Sequence, residues 1–277
     1  MTVDLSPEAV TFTAAGTPAG RYVLDDAFKP YINPLRTPDG HLVSDCMPID
    51  HRHHKGMMYA LRCADLNFWE ELPGTDQAGV QHSLSVEALT TGCGKGIRQQ
   101  LRWAHSSGER PTYDETREIV CRHEPEQRAF IWTWSSRRTA LRSHRVIKSE
   151  WSLEVADGRR INYHGLGIRM PRAWAFPGDG MNGVECAGTP KPWREACGTT
   201  GPQAGFWGKI DGHWNPPVAF VGARQDHGFA WFVLNEGFSY ISAGPSNLEE
   251  FDVEKGQIFS ETYRVIVQDR WAVTPAA

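Results

Sequence analysis

Short runs of alternating apolar and polar residues, cut by clusters of Gly, Pro, Asp and Asn, constrain this chain more than any other feature. Ile97, Leu101 and Trp103 share one face of residues 97–103, and Phe130, Trp132 and Trp134 share a face of residues 130–134. In residues 147–155 the shared face is Ile147, Trp151, Leu153 and Val155, with Ser149 the polar exception. Near the end, Phe259, Tyr263, Val265 and Val267 line one side of a long run. Side chains alternate across a strand, so each run predicts a half-buried strand. Turn signals separate them: Thr37-Pro38-Asp39-Gly40, Asp157-Gly158, Gly178-Asp179-Gly180 and Asp211-Gly212. Gly92-Cys93-Gly94-Lys95-Gly96 reads as a hairpin turn, since no helix follows that would make it a phosphate cradle. No segment of about 12 residues carries a clean helical period. The expected fold is therefore all-β, a large antiparallel β-sandwich with few short helices, not βαβ units.

Residues 1–277 read as a single domain, with no linker, internal repeat or low-complexity stretch. The segment 171–217 is dense in Gly, Pro and Trp and weak in alternation, which predicts long loops across one face. The formal charge is −4, and no run of Lys or Arg offers a track for phosphates, so no nucleic-acid partner is expected. Arg137–Arg138 and Arg159–Arg160 read as solvated turns. No membrane span is expected, and the opening MTVDLSPEAV lacks the cationic and apolar parts of a secretory signal; the expected location is cytoplasmic. The six cysteines, Cys46, Cys63, Cys93, Cys121, Cys186 and Cys197, form no C-x-x-C pair and read as reduced, buried thiols.

The most unusual local feature is Asp50-His51-Arg52-His53-His54-Lys55-Gly56. Read as an extended strand, it puts His51 and His53 on one side and Arg52 and His54 on the other. Imidazoles at i and i+2 can share a metal or bracket a substrate oxygen, so His51 and His53 are the candidate ligands of a divalent metal. Crowding by Arg52 and Lys55 would favour the neutral ring, which suits ligation or general-base work. Further metal ligands would have to come from Glu70, Glu71, His82, His105, His123 or His164, none singled out by spacing. Upstream, Lys29, Tyr31 and Arg36 supply donors around fixed prolines, and downstream Asn67-Phe68-Trp69-Glu70-Glu71 sets an aromatic beside carboxylates. A flat apolar platform, a few fixed polar groups and an acid or base are what a sugar site needs. The run Asn162-Tyr163-His164-Gly165-Leu166-Gly167-Ile168-Arg169 reads as a strand bearing His164 and Arg169, its glycines marking the close approach of another group. The candidate catalytic residues are thus His51, His53, His54, His164 and Glu70, and the candidate substrate-binding residues Lys29, Tyr31, Arg36, Trp69 and Arg169. No Walker, dinucleotide-binding or nucleophile-elbow motif is present, so no nucleotide cofactor is expected.

These residues resemble the PmoA-like bacterial proteins of unknown function. The similarity is carried by Lys29-Pro30-Tyr31, Pro34-Leu35-Arg36-Thr37-Pro38-Asp39-Gly40, Pro48, His51-x-His53-His54-Lys55-Gly56 and Asn67-Phe68-Trp69, and by Gly165–Arg169 and Gly256 to Val267. It spans roughly residues 20–268, and the three-histidine run before a basic residue and glycine is its specific part. The label "methane oxygenase" does not fit, because the membrane subunit of that name is built of transmembrane helices. Members of the family commonly accompany sugar oxidoreductases and isomerase-like proteins, and the chain's ending is similar to that of a galactose-mutarotase-type supersandwich. The resemblance implies a small-molecule carbohydrate partner and a site on the concave sheet. The leading functional expectation is an enzyme acting on a sugar or keto-glycoside by elimination, hydrolysis or epimerisation. The alternatives are a non-catalytic sugar-binding module and a metal-dependent oxygenase or hydrolase. A homo-oligomer is compatible with the sequence.

Overall fold

The computed structural model describes residues 1–175, 182–210, 217–225 and 229–269, with the side chains of 218, 220 and 223–225 left out. Two large sheets carry the fold, and every ladder between their strands is antiparallel. The first has eight strands in the order Thr2–Leu5, Ala9–Ala14, Thr17–Val23, Tyr31–Leu35, Met57–Ala60, Gly165–Arg169, Phe238–Ala243 and Phe232–Glu236. The second has nine: Thr189–Lys191, Gly183–Cys186, Gln203–Trp207, Val218–Gln225, Ile258–Gln268, Ala129–Ala140, Tyr113–Glu124, Gly94–His105 and Gly79–Thr91. Described helix is limited to one 3-10 turn, Arg172–Ala175, and one α turn, Trp193–Ala196. The expected all-β class holds, and no described helix is long and apolar enough to cross a membrane.

The alternation read from the sequence becomes burial. In Ile258–Gln268, Phe259, Tyr263, Val265 and Val267 point inward, as do Ile97, Leu101 and Trp103, and Phe130, Trp132 and Trp134. Aromatic contacts join the sheets: Phe12 meets Trp132 at 4.9 Å between ring centres, Tyr22 meets Trp134 at 6.0 Å, and Tyr59 meets Trp103 at 6.0 Å. The hairpin at Gly92–Cys93 stands between Gly79–Thr91 and Gly94–His105, as expected.

Between the aromatic contacts lies a buried ionic layer. The Arg117 guanidinium donates to both Glu115 oxygens at 2.9 Å, to Gln81 Oε1 at 2.9 Å and to Tyr22 Oη at 3.0 Å. Ser136 and the Trp103 indole donate to the same carboxylate. Arg138 pairs with Glu261 at 2.7 Å, and Tyr263 donates to the other Glu261 oxygen. Arg138 therefore corrects the reading of Arg137–Arg138 as a solvated turn. Both sit in the strand Ala129–Ala140, and alternation turns Arg138 into the core toward its carboxylate.

Two further expectations are corrected. Residues 147–155 are not one strand. His144–Ile147 stops, the chain turns with Ser152 N–H donating to Ser149 O, and Leu153–Glu154 restarts in a separate two-stranded ladder. Trp151 stands on that turn, 72 % exposed. The segment 171–217 is more than loops, since Gly183–Cys186, Thr189–Lys191 and Gln203–Trp207 extend the nine-stranded sheet at one edge. The turn signals Gly178-Asp179-Gly180 and Asp211-Gly212 lie outside the described residues. Of the six free cysteines, Cys93 is exposed and Cys46 half-buried, while the other four are buried as expected.

Removing one partner of a buried ion pair leaves an uncompensated charge, which costs about 3–5 kcal/mol. Glu115→Ala is expected to destabilise by about that amount in urea unfolding, and Glu115→Ala with Arg117→Met by less than Glu115→Ala alone. A Glu115→Ala loss under about 1 kcal/mol would show that the layer is solvated.

Candidate functional site

A cavity of about 440 Å3 brings together Asp50, His51, His53, His54 and Glu70 with Trp151, Leu153, Tyr163, Phe232, Leu234, Phe238 and Tyr240. Its floor is the edge hairpin of the eight-stranded sheet, where Leu234 pairs with Tyr240 and Phe232 with Ser242. Register gives the face. Tyr59, Leu166 and Ala243 align across neighbouring strands, and Tyr59 points to the nine-stranded sheet. Tyr240, Arg169 and Leu234 stand one residue out of that phase, so the cavity lies on the opposite face, away from the nine-stranded sheet. Gly167 permits this layer, because a Cβ there would collide with the Tyr240 side chain.

The roof is the histidine segment, which is not the expected strand. Met47 N–H donates to His54 O, His51 N–H to Pro48 O and His54 N–H to His51 O, so residues 48–54 fold as successive turns. A strand would have sent His54 away from His51 and His53. The turn instead points all three into one cavity, with ring centres 4.6–6.0 Å apart. Gly56 closes the segment at φ 59°, where a Cβ would strike the Ile32 carbonyl.

His51 and His54 have different partners. His51 Nδ1 lies 3.0 Å from Asp50 Oδ2, and Asp50 Oδ1 accepts from Arg172. Burial opposes ionisation of Asp50, but the bond from His51 and the Arg172 charge hold its carboxyl below the usual range. His54 Nδ1 lies 3.1 Å from NH1 of Arg169, whose side chain is fully buried. A guanidinium only donates, so His54 Nδ1 accepts and its proton sits on Nε2. A carboxylate only accepts, so His51 Nδ1 donates to Asp50 and, in the neutral ring, Nε2 is left as the acceptor. Burial, followed by the charges of Lys29, His51, Arg169 and Lys55, pushes His53 down to about 3. Burial likewise holds His54 and His164 well below the ordinary histidine value. Desolvation, more than the crowding by Arg52 and Lys55, makes these rings neutral.

Glu70 faces the histidines from a second segment. Tyr163 donates to Glu70 Oε1 at 3.2 Å, and Ser149 Oγ lies 2.8 Å from the Tyr163 oxygen and 3.3 Å from Glu70 Oε1. Glu70 Oε2 has no partner among the described residues. Burial, then the Glu70 charge, raises the Tyr163 hydroxyl above its ordinary value.

The other sequence candidates do not line the cavity. Trp69 is fully buried beside His164, 5.1 Å between ring centres, and backs His53 and His54. His164 is buried behind Trp69, and neither ring nitrogen has a hydrogen-bond partner among the described residues. Lys29, expected to be a substrate donor, spends its ammonium on Glu71 and the Trp69 carbonyl, each at 2.7 Å. Tyr31 lies buried with the Lys55 ammonium 5.7 Å from its ring centre, and Arg36 donates to Gly40 O in its own turn. Arg169 stacks 4.0 Å over Phe238 and acts on His54. Sequence reasoning missed Asp50, Phe232, Phe238 and Tyr240 as lining residues, although the alternation Phe232, Leu234 and Phe238, Tyr240 was there to read.

For the metal expectation, the cavity's histidines and carboxylates do not bring three ligand atoms within 4.8 Å of one another. Among the described residues that spacing occurs at Asp39, His41 and Asp269, where Arg128 pairs with both aspartates. The ring centres of His51 and His53 lie 6.0 Å apart, and His82, His105 and His123 lie in or at the end of strands of the nine-stranded sheet, outside the cavity lining.

The chain belongs to DUF6807, a family of unknown function. Its match covers residues 9–277. No curated protein matches. The match bears the DUF6807 name and not the expected PmoA-like one. Among solved structures, the GH36 alpha-galactosidase AgaA from Geobacillus stearothermophilus aligns at TM-score 0.42 and 9 % identity, over 97 % of this chain and 40 % of that one. The alpha-galactosidase from Lactobacillus brevis aligns at 0.42 and 6 %, over 96 % and 39 %. The galactosidase domain of the alpha-galactosidase-sucrose kinase AgaSK aligns at 0.42 and 8 %, over 96 % and 41 %. This chain spans about two-fifths of their length, and likeness at this level transfers neither site nor substrate.

His53, His54 and His164 have folded-state values below the unfolded value of about 6.5. Below that pH the unfolded chain binds more protons than the folded one, so their contribution is complete above about pH 6.5 and is lost as pH falls. Thermal melts are expected to shift little from about pH 8 to 7 and to drop steadily from about 6.5 to 4.5. His164→Phe, which removes a ring with no polar partner, should flatten that drop. A parallel drop in wild type and variant would mean that His164 protonates freely when folded.

Proposed function

We propose that this protein is a carbohydrate-active enzyme that works by acid–base chemistry in the histidine cavity. The observation that carries this reading is the opposed pair of Nδ1 partners on two imidazoles lining one space, Asp50 at His51 and Arg169 at His54, which leaves His51 Nε2 to act as a base and His54 Nε2–H as a donor. Two imidazoles so arranged can remove a proton and stabilise the charge that results without either changing partner. Burial holds the His54 ring neutral near pH 7, so that its Nε2–H is a hydrogen-bond donor of a neutral imidazole.

The rim supports a sugar as ligand. Trp151 stands exposed at the mouth, and Phe238, Phe232 and Tyr240 add apolar faces to a space edged by Asp50, His51, His53 and Glu70. Flat C–H faces pack on aromatic rings while hydroxyls meet the polar edge. A keto-glycoside fits the chemistry best, because its carbonyl acidifies the neighbouring C–H. His51 Nε2 takes that proton, and the electron pair moves onto the carbonyl oxygen, where His54 Nε2–H meets it. The Glu70–Tyr163 pair is the second proton site. It protonates the departing oxygen in an elimination, or returns a proton to carbon in an epimerisation. Asp50 holds the His51 tautomer and Arg169 holds that of His54, so both are positioning residues.

Steady-state assays on a keto-glycoside such as methyl 3-keto-glucoside test this. His51→Ala is expected to lower kcat by about 10²–10⁴-fold, the usual worth of a general base. Trp151→Ala should act mainly on KM, since it removes binding surface and no reacting group. Unchanged turnover in His51→Ala would remove the base. Binding of sugars by the wild type without any product would make the cavity a recognition site.

A further inference from the structure

Residues 149–153 form a partition with two lined sides. Trp151 and Leu153 face the histidine cavity, while Ser149, Glu150 and Ser152 face a groove of about 710 Å3. The partition is one hydrogen-bonded layer thick at Ser149, whose hydroxyl touches both Glu70 and Tyr163 of the cavity. The two spaces are therefore neighbours across residues 149–153.

The groove is polar and mixed in charge, with Arg62, Arg145, Lys148 and Arg160 set against Glu150, Glu249 and Glu250. Three of the four cations are engaged. Arg145 pairs with Glu250 and Asp252, Lys148 Nζ donates to Arg160 O, and Arg160 donates to Glu150 O and Ser152 O. The fourth, the Arg62 guanidinium, has no ion-pair or hydrogen-bond partner among the described residues. It lines the groove beside the turn that carries Glu70. Its strand Arg62–Cys63 pairs with Ile147, and Arg62 bridges to Asn67, whose side chain caps the backbone of Trp69 and Glu70. Tyr163 and His164 both feel its charge.

We propose that this groove is a second substrate subsite, and that it holds a neighbouring sugar unit bearing a carboxylate, which the Arg62 guanidinium receives. The proposal rests on the carbohydrate reading of the cavity. Arginine fits a carboxylate with two parallel N–H bonds, and the groove's remaining charged groups suit the hydroxyls of the same ring. The substrate is then a unit of two sugars, with the reacting ring in the cavity and the acidic one beyond Trp151.

A glycan array carrying monosaccharides, neutral disaccharides and their uronate-containing counterparts tests this, followed by calorimetry on the best pair. Wild type is expected to favour the uronate disaccharide over its neutral analogue by at least about tenfold, the worth of one charge-assisted contact. Arg62→Gln should bring that ratio toward one and Arg62→Lys should keep part of it, with circular dichroism confirming that both fold. Trp151→Ala should weaken every sugar that binds. A uronate preference unchanged in Arg62→Gln overturns the proposal. So does wild-type binding of monosaccharides as tight as that of any disaccharide; with Trp151→Ala still weakening them, the cavity reading stands. No binding of any glycan by wild type removes the carbohydrate reading, and the proposal with it.

Discussion

Four clustered charges, Lys29 and Lys55 buried and Asp26 and Glu71 half-buried, hold the candidate site in shape. The Lys29 ammonium lies 2.7 Å from Glu71 Oε1, and Lys55 reaches the same oxygen and both oxygens of Asp26, also at 2.7 Å. They join three separate stretches of chain: the approach to strand Tyr31–Leu35, the end of the histidine turn, and the turn that carries Trp69 and Glu70. Glu71 sits there at φ 55°, a conformation that a non-glycine residue keeps only when its surroundings hold it. With Glu71 pinned, Glu70 faces the cavity, and with Lys55 pinned, the three histidines turn over it. Burial works against the Lys29 charge and the Glu71 charge supports it, so the cluster survives in apolar surroundings only as a complete set.

The same burial sets the chemistry above it. Desolvation outweighs every other influence on His53, His54 and His164, and the nearby cations add to it. Neutral rings can differ in tautomer, and each takes the one its neighbour imposes. A carboxylate beside His51 and a guanidinium beside His54 give the Nδ1 atoms of identical side chains opposite hydrogen-bond roles. The cavity occupies the outer face of the eight-stranded sheet, with the edge hairpin as its floor and the exposed Trp151 at its rim.

Legibility followed the range of the forces involved. Runs such as Phe130–Trp134 or Phe259–Val267 announce their strands because the alternation that buries them is local. Arg138 and Glu261 were hidden in such runs. Their burial depends on a partner more than a hundred residues away. Residues 147–155 kept the alternation but turned at Ser149–Ser152, which placed Trp151 in solvent at the cavity mouth. The histidine run was visible as a cluster, yet its turn depends on hydrogen bonds closed from outside the run, among them Gly56 N–H to Asp45 O and Arg169 N–H to Gly56 O.

By itself, the sequence determined the all-β class, the positions of most long strands, and the concentration of histidines before Lys55 and Gly56. These follow from side-chain periodicity and residue identity, which act over a few positions. Only the tertiary structure decided which polar groups face the cavity. Lys29, Tyr31 and Arg36 have the chemistry of ligand donors, but the fold engages or buries them elsewhere. Asp50, Glu70 and Tyr163 converge with the histidines because separate segments are locked together by buried charges and sheet register, and neither is written in any single stretch of chain.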